Sequence, residues 1–396
     1  MTLVTGTTDR TSVIVDVVRT PVGRAHKGSL TGVRPDDLAA HVVIELLDRN
    51  DWLDRALIDD LICGCAFPWG EQGYNVGRSI GLLAGLPHHV PAQTVIRLCA
   101  SSLQALRSAG HAIAVAEAAA VLVVGVESVS RVGRGHELAE HNPRLDPEAP
   151  GETIGAVFMP MGLTAEVVAD DYGIAREEMD AFALRSQERA VAATESGFSA
   201  REIHPVPLPR GGLLERDESP RPGTTLPRLA ELEPVFREGG RVTAGNSCPL
   251  NDGAAAALVM SAHLAEAVGV QPVGRIIASA VSAVDPSRMG LGPIRAIKDV
   301  LAAVGATVDD LDVIELNEAF SAQVIPVLRE VGVDPFDDRV NPFGGAIAIG
   351  HPFGMTGLRM TSTLLNGLRE LDGTLGLVSM CVGGGQGQAM VIERIA

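Results

Sequence analysis

The chain has 396 residues, too many for one ordinary core, and the length points to two or three domains. Apolar residues make up 46% of it, a normal share for a globular enzyme. A net charge of −17 excludes a general nucleic-acid binder, because neutralising phosphates needs a basic surface, although a few local arginines can still hold a small polyanion.

In chain order, the start "MTLVTGTTDRTS" shows no basic segment followed by an apolar one, so no secretory signal is expected. "SVIVDVVRTPVGR" reads as a buried strand closed by a turn, and "RPDDLAAHVVIELLDRN" as a helix with acidic residues at its start. Strand-like "LIDDLICGCAF" and helical "NVGRSIGLLAGL" follow. The segment from "TVIRLCASS" to "VLVVGVES" reads as a short strand, a turn at Cys99, an Ala-rich helix and a second buried strand. Its last apolar run, residues 118–126, has about half of the roughly 20 residues a membrane helix needs, so no membrane segment is expected. Alternating strands and helices predict an α/β fold with helix-covered sheets.

From about 128 to 246, glycine, proline and charge rise ("RVGRGHELAEHNPRLDPEAPGE"), with helices such as "REEMDAFALRSQERAVAATESG" between. The texture predicts an inserted loop domain with its own helices. "NDGAAAALVMSAHLAEAVG" then reads as helical. From 271 onward the alternation resumes, and its last part, loop, Gly-rich turn, long helix and buried strand, repeats the order around Cys99. The expected division is 1–127 plus 247–271, an insertion at 128–246, and a second half at 272–396, with Cys99 and the His351 region at equivalent turns.

The five cysteines, Cys63, Cys65, Cys99, Cys248 and Cys381, are odd in number and scattered, which suits free thiols in a reducing cytosol. A cytoplasmic location is expected. Cys63 and Cys65 lack the spacing of a zinc or redox pair, and no metal is expected. Four stretches carry chemistry: "RLCASSLQAL", a lone cysteine at a strand-to-helix turn; "ELNEAFSAQ" with Asn317; "NPFGGAIAIGHPFGMTGLR", one histidine among glycines; and "SMCVGGGQG" with Cys381 and Gly383. A helix N-terminus favours thiolate, and glycines let a backbone or substrate come close. Singly, each has an ordinary explanation as a core cysteine, a helix cap or a flexible turn. No Walker loop or dinucleotide fingerprint is present.

Together, these stretches with "RTPVGR", "GVESVSR", "MPMGLTAEVVA" and "VTAGNSCPLNDGAAA" resemble the thiolase family in order and over nearly the full length. The resemblance implies two similar halves in a five-layered α-β-α-β-α arrangement and a CoA-dependent cleavage of 3-ketoacyl-CoA, or its reverse, through an acyl-cysteine. It assigns the nucleophile to Cys99, its activation to His351, a water-holding role to Asn317 and the acid/base to Cys381. The N–H groups of Cys99 and Gly383 would form an oxyanion hole.

For CoA, a co-substrate rather than a bound cofactor, the resemblance implies contacts from Arg221, Met161, Phe320 and Cys248. The family usually has serine at 248 and glycine at Ser102; both departures are expected to bear on substrate fit. Pro160 before "MG" points to broader-chain degradative members rather than short-chain biosynthetic ones. The family also implies a homodimer or homotetramer. A short-chain biosynthetic acetoacetyl-CoA thiolase or a specialised condensing enzyme and, in another class, a non-catalytic acyl-CoA-binding protein are the alternatives.

Overall fold

The computed structural model describes residues 10–132, 142–145 and 156–395, so most of the loop expected at 131–152 lies outside the described residues. The first half runs β1 (Ser12–Arg19), α1 (Pro35–Arg49), β2 (Asp60–Cys65), α2 (Val76–Leu83), β3 (Ala92–Val95), α3 (Ser101–Ala114) and β4 (Ala120–Ser128). Helix α1 opens on Pro35, Asp36 and Asp37 and ends on Arg49, residues whose fixed φ or charge suits those ends. Helices α4 (Met161–Tyr172) and α5 (Arg176–Glu195) belong to the excursion. The remainder is β5 (Asn251–Ser261), α6 (Ala262–Val268), β6 (Gly274–Ala283), α7 (Gly292–Val304), β7 (Val313–Leu316), α8 (Ser321–Glu330), α9 (Thr356–Glu370), β8 (Leu375–Val382) and β9 (Gln386–Arg394).

One expectation is corrected. The alanine-rich stretch of "NDGAAAALVMS" is not helical but the eleven-residue strand β5. It lies between β1 and β4, antiparallel to both, and is buried on both faces. Ala254, Ala256 and Leu258 pack outward while Ala255, Ala257 and Val259 pack towards the middle of the molecule. Alanine's helix preference, a few tenths of a kcal/mol per residue, yields to pairing with the strands on either side.

The two halves repeat one topology. The first orders its strands β2-β4-β5-β1, with β3 beyond β2, and the second β7-β8-β9-β6. In each, the first pair is parallel and the next two are antiparallel. The halves join where β1 and β6 pair through Val13–Arg275 and Ile14–Gly274.

Three apolar cores define five layers. Helix α1 covers one face of the first sheet through Leu38, Val42 and Leu46. In the middle, α3 (Leu103, Leu106) and α9 (Leu358, Leu364) lie between Val121 and Val123 of one sheet and Val378 and Val382 of the other. Helices α7 and α8 cover the far face through Val300, Val324 and Ile325, and the excursion adds Ala165, Met179 and Phe182 to that core. Helices α3 and α9 approach closely because residue 357 is glycine; a Cβ there would lie 2.5 Å from the Leu103 nitrogen.

Buried Arg19 donates to Asp217 at 2.7 Å and to Glu202 at 3.2 Å, which ties the excursion to β1. Among the described residues no helix is long and apolar enough to cross a membrane.

Candidate active site

Cys99 sits in the helical turn Leu98–Ala100 that feeds α3, half-buried against the middle core. The turn is sharp: Leu98 has φ +42°, a left-handed backbone that a branched residue adopts only when its surroundings hold it there. Ser101 does so, its Oγ donating to the Leu98 carbonyl at 2.7 Å and accepting from Arg97 N at 3.0 Å. The result points Sγ towards two peptide N–H groups, those of Gly383 and of Cys99 itself. Burial pushes the Cys99 thiol up to about 11, against the pull of those two donors. In the resting protein it is a thiol.

His351 is fully buried in the Gly-rich turn before α9. Its peptide N–H donates to Asn251 Oδ1 at 2.9 Å. Thr356 Oγ1 donates its one proton to the Pro352 carbonyl at 2.8 Å, so at 2.7 Å it accepts from His351 Nδ1–H. That leaves Nε2 unprotonated, and it accepts from Asn317 Nδ2 at 3.3 Å. Burial, and then the Arg359 guanidinium, hold the imidazole down to about 3, so it is neutral. Asn317 Oδ1 is buried and meets no protein donor among the described residues.

Cys381, near the end of β8, is buried, and burial followed by the neighbouring Cys99 and Cys248 pushes its thiol well above the ordinary range. Cys248 responds in the same way to burial and then to Cys99. The three thiols therefore lie near enough to feel one another's charge. Cys248 is carried there by its N–H donating to the Ala319 carbonyl at 2.9 Å, two residues past Asn317. Gly383 lies against Leu98, and a Cβ on it would be 2.6 Å from Leu98 Cδ1. Glu318, next to Asn317, turns away: it accepts from Ser186 Oγ at 2.5 Å and Asn341 Nδ2 at 2.8 Å.

Met161 and Phe320 border the outer core that also holds Cys248 and Cys381. The structure adds Phe236, which the sequence reading missed. Its ring lies over Gly162 and meets Phe320 edge-on at 6.0 Å while staying partly exposed. The available signal was an aromatic residue placed in a charged loop of a chain with only 3% aromatics. Arg221 stands apart from this centre, exposed at a groove bordered by Gln187, Val191 and Thr224.

Ser102 is a correction. It is buried, and its Oγ accepts from Leu358 N at 3.1 Å, so it ties α3 to α9 rather than facing a substrate. Cys63 and Cys65 are buried on β2. Among the described residues no cluster of three or more His, Cys, Asp or Glu side chains could hold a metal.

Family models for the thiolase N-terminal and C-terminal domains match residues 12–263 and 270–394. A 3-ketoacyl-CoA thiolase of Saccharophagus degradans is 46% identical over 397 residues, covering 98% of this chain and 99% of its own length. A β-ketoadipyl-CoA thiolase of Pseudomonas aeruginosa is 46% identical over 401 residues, covering 96% and 98%. Among solved structures, an acetyl-CoA acetyltransferase of Bacillus anthracis superposes with a TM-score of 0.89 at 35% identity, covering 98% of this chain and 100% of that one. The dimeric peroxisomal thiolase of Saccharomyces cerevisiae gives 0.91 at 34% identity, covering 99% of each.

Proposed function

The chain belongs to the thiolase family, and from that premise we propose that it cleaves a 3-ketoacyl-CoA with CoA, giving acetyl-CoA and a shortened acyl-CoA. The observation that carries the reading is that Cys99 Sγ faces the N–H groups of Gly383 and Cys99, with the Cys381 thiol nearby. A neutral His351, its unprotonated Nε2 accepting from Asn317 Nδ2, supplies the base.

In this reading His351 Nε2 takes the Cys99 proton as sulfur attacks the 3-keto carbon, and Nε2–H then donates to the new oxyanion. Asn317 Oδ1 holds a water on the same oxygen. The bond between carbons 2 and 3 breaks, its electron pair passes to the acetyl-CoA enolate, and Cys381 gives that carbon a proton. Burial keeps Cys381 protonated until such a strong base forms. The acyl group remains as a thioester on Cys99, its oxygen between the N–H groups of Cys99 and Gly383. Free CoA, deprotonated by Cys381, then attacks it and frees Cys99. Run backwards, the same steps condense two acyl-CoA molecules.

Met161, Phe320, Cys248 and the added Phe236 would flank the acyl and pantetheine path, with Arg221 towards the nucleotide end. The yeast relative's dimer supports a homodimer. The repeated strand order supports dividing the chain at 1–127 plus 247–271, 128–246 and 272–396. The test is loss of the 3-keto thioester over a series of 3-ketoacyl-CoA substrates from short to long, with one dicarboxylic member, beside a Cys99→Ala control. Turnover that vanishes in the control is expected. CoA binding with no cleavage of any member would overturn the reading in favour of a binding protein or specialised condensing enzyme.

A further inference from the structure

The chemistry above uses none of the polar groups behind the His351 turn, and one of them is a carboxylate. Glu127, next to last in β4, is fully buried. Its Oε2 accepts from the peptide nitrogens of Ala66 and Gly354, both at 2.9 Å, and its Oε1 from Gln72 Nε2 at 2.7 Å. Gln72 is fixed in turn, its Oε1 accepting from Ser128 N at 2.6 Å. Gly354 comes three residues after His351 and two before Thr356, the residue that sets the imidazole's tautomer. The same turn carries Phe353, edge-on to the His351 ring at 5.0 Å and to Phe67 at 5.5 Å. The imidazole, its hydrogen-bond acceptor and its aromatic wall therefore all sit on a turn tethered to the end of β4.

We propose that Glu127 is a positioning residue for His351: its ionised carboxylate holds the 351–356 turn at the reacting distance from Cys99, and its protonation lets that turn relax. This rests on the role given to His351 above. A carboxylate accepts every donor aimed at it, whereas a carboxylic acid sets an O–H against one of those N–H groups, and a buried donor then loses its partner.

The titratable groups around Glu127 are Cys65, whose Sγ is 4.0 Å from Oε1, Cys63 on the same strand, Cys99 on the α3 side, and Asp252 of β5, reached through Ser128. Glu127 makes no ion pair among the described residues. Burial pushes its carboxyl up to about 7, against the hydrogen bonds from Gln72, Ala66, Gly354 and Phe67. The carboxylate form is thus lost as pH falls through neutrality.

The experiment compares thiolysis kinetics of the full-length wild type with Glu127→Gln, Gln72→Leu and His351→Ala across neutral pH. Because a misplacement of about 1 Å costs roughly 10²-fold, Glu127→Gln should lose about that much kcat, with KM for CoA within about threefold. Its residual rate should be flat where wild-type kcat declines towards acid. Gln72→Leu removes a donor that favours the carboxylate, so its acid limb should move to higher pH while its alkaline kcat stays close to wild type.

Wild-type kcat in Glu127→Gln, or an unmoved acid limb in Gln72→Leu, overturns the proposal; if Glu127→Gln does not fold, Gln72→Leu decides alone. An inactive His351→Ala beside a fully active Glu127→Gln removes only the positioning role. An active His351→Ala removes the His351 assignment, and this inference with it.

Discussion

Replacing Gly383 by alanine tests whether its peptide N–H stabilises the acyl oxygen. The new Cβ would lie 2.6 Å from Leu98 Cδ1, whereas carbons rest about 3.5–4.0 Å apart, so about 1 Å must open between the two turns. That methyl ends a side chain packed against the middle core, on a left-handed backbone tied by Ser101, and Leu98 directly precedes Cys99. Separating the turns draws the Gly383 N–H away from Cys99. Loss of one oxyanion donor costs about 10²–10³ in kcat, or roughly 2.7–4 kcal/mol, and a loss of that size is expected for Gly383→Ala in steady-state thiolysis. Leu98→Ala removes the colliding atom, so Gly383→Ala should cost less than about tenfold in that background, a coupling of neighbours that a double-mutant cycle measures directly. Wild-type kcat in the single variant, or no recovery in the double one, would refute the reasoning.

Three further outcomes follow from the same geometry. With burial holding the Cys99 thiol up to about 11, its alkylation by iodoacetamide should rise about tenfold per pH unit from pH 6 to 9; a plateau below pH 7 would show a preformed thiolate instead. Cys248→Ser exchanges a weak donor for a strong one and should lower KM for CoA about threefold to tenfold with kcat little changed, while an unchanged KM would place residue 248 off the CoA path. Ser102→Gly removes one of the two acceptors of Leu358 N, the Met355 carbonyl at 3.1 Å remaining, and should cost about 0.5–1.5 kcal/mol in denaturant unfolding with KM for CoA unchanged. A changed KM there would return Ser102 to the substrate side.

Most strands and helices were legible because buried strands such as β1 and β4 are short unbroken apolar runs and a helix such as α1 carries an apolar stripe at helical spacing. Cys99, His351, Asn317, Cys381 and Gly383 stood out only together, because their stretches resemble the thiolase family in order along the chain. What escaped depends on distant neighbours. The alanines of β5 prefer helix by composition, and only the strands on either side make them a strand. Glu127 and Gly354 are separated by 227 positions, and nothing local ties them together. Phe236 matters only because Gly162 and Phe320 lie against it, and Ser102 only because Leu358 does. The left-handed Leu98 was equally hidden, since a leucine carries no local signal for positive φ.

The central claim is that Cys99 carries the acyl group. It is tested most directly by adding a 3-ketoacyl-CoA without free CoA, quenching in acid, and mapping the adduct by peptide mass. The account predicts the shortened acyl group on the Cys99 peptide with an equivalent of acetyl-CoA released, and neither in Cys99→Ala. An adduct on Cys248 or Cys381, or acetyl-CoA formed without any acyl-protein, would contradict it.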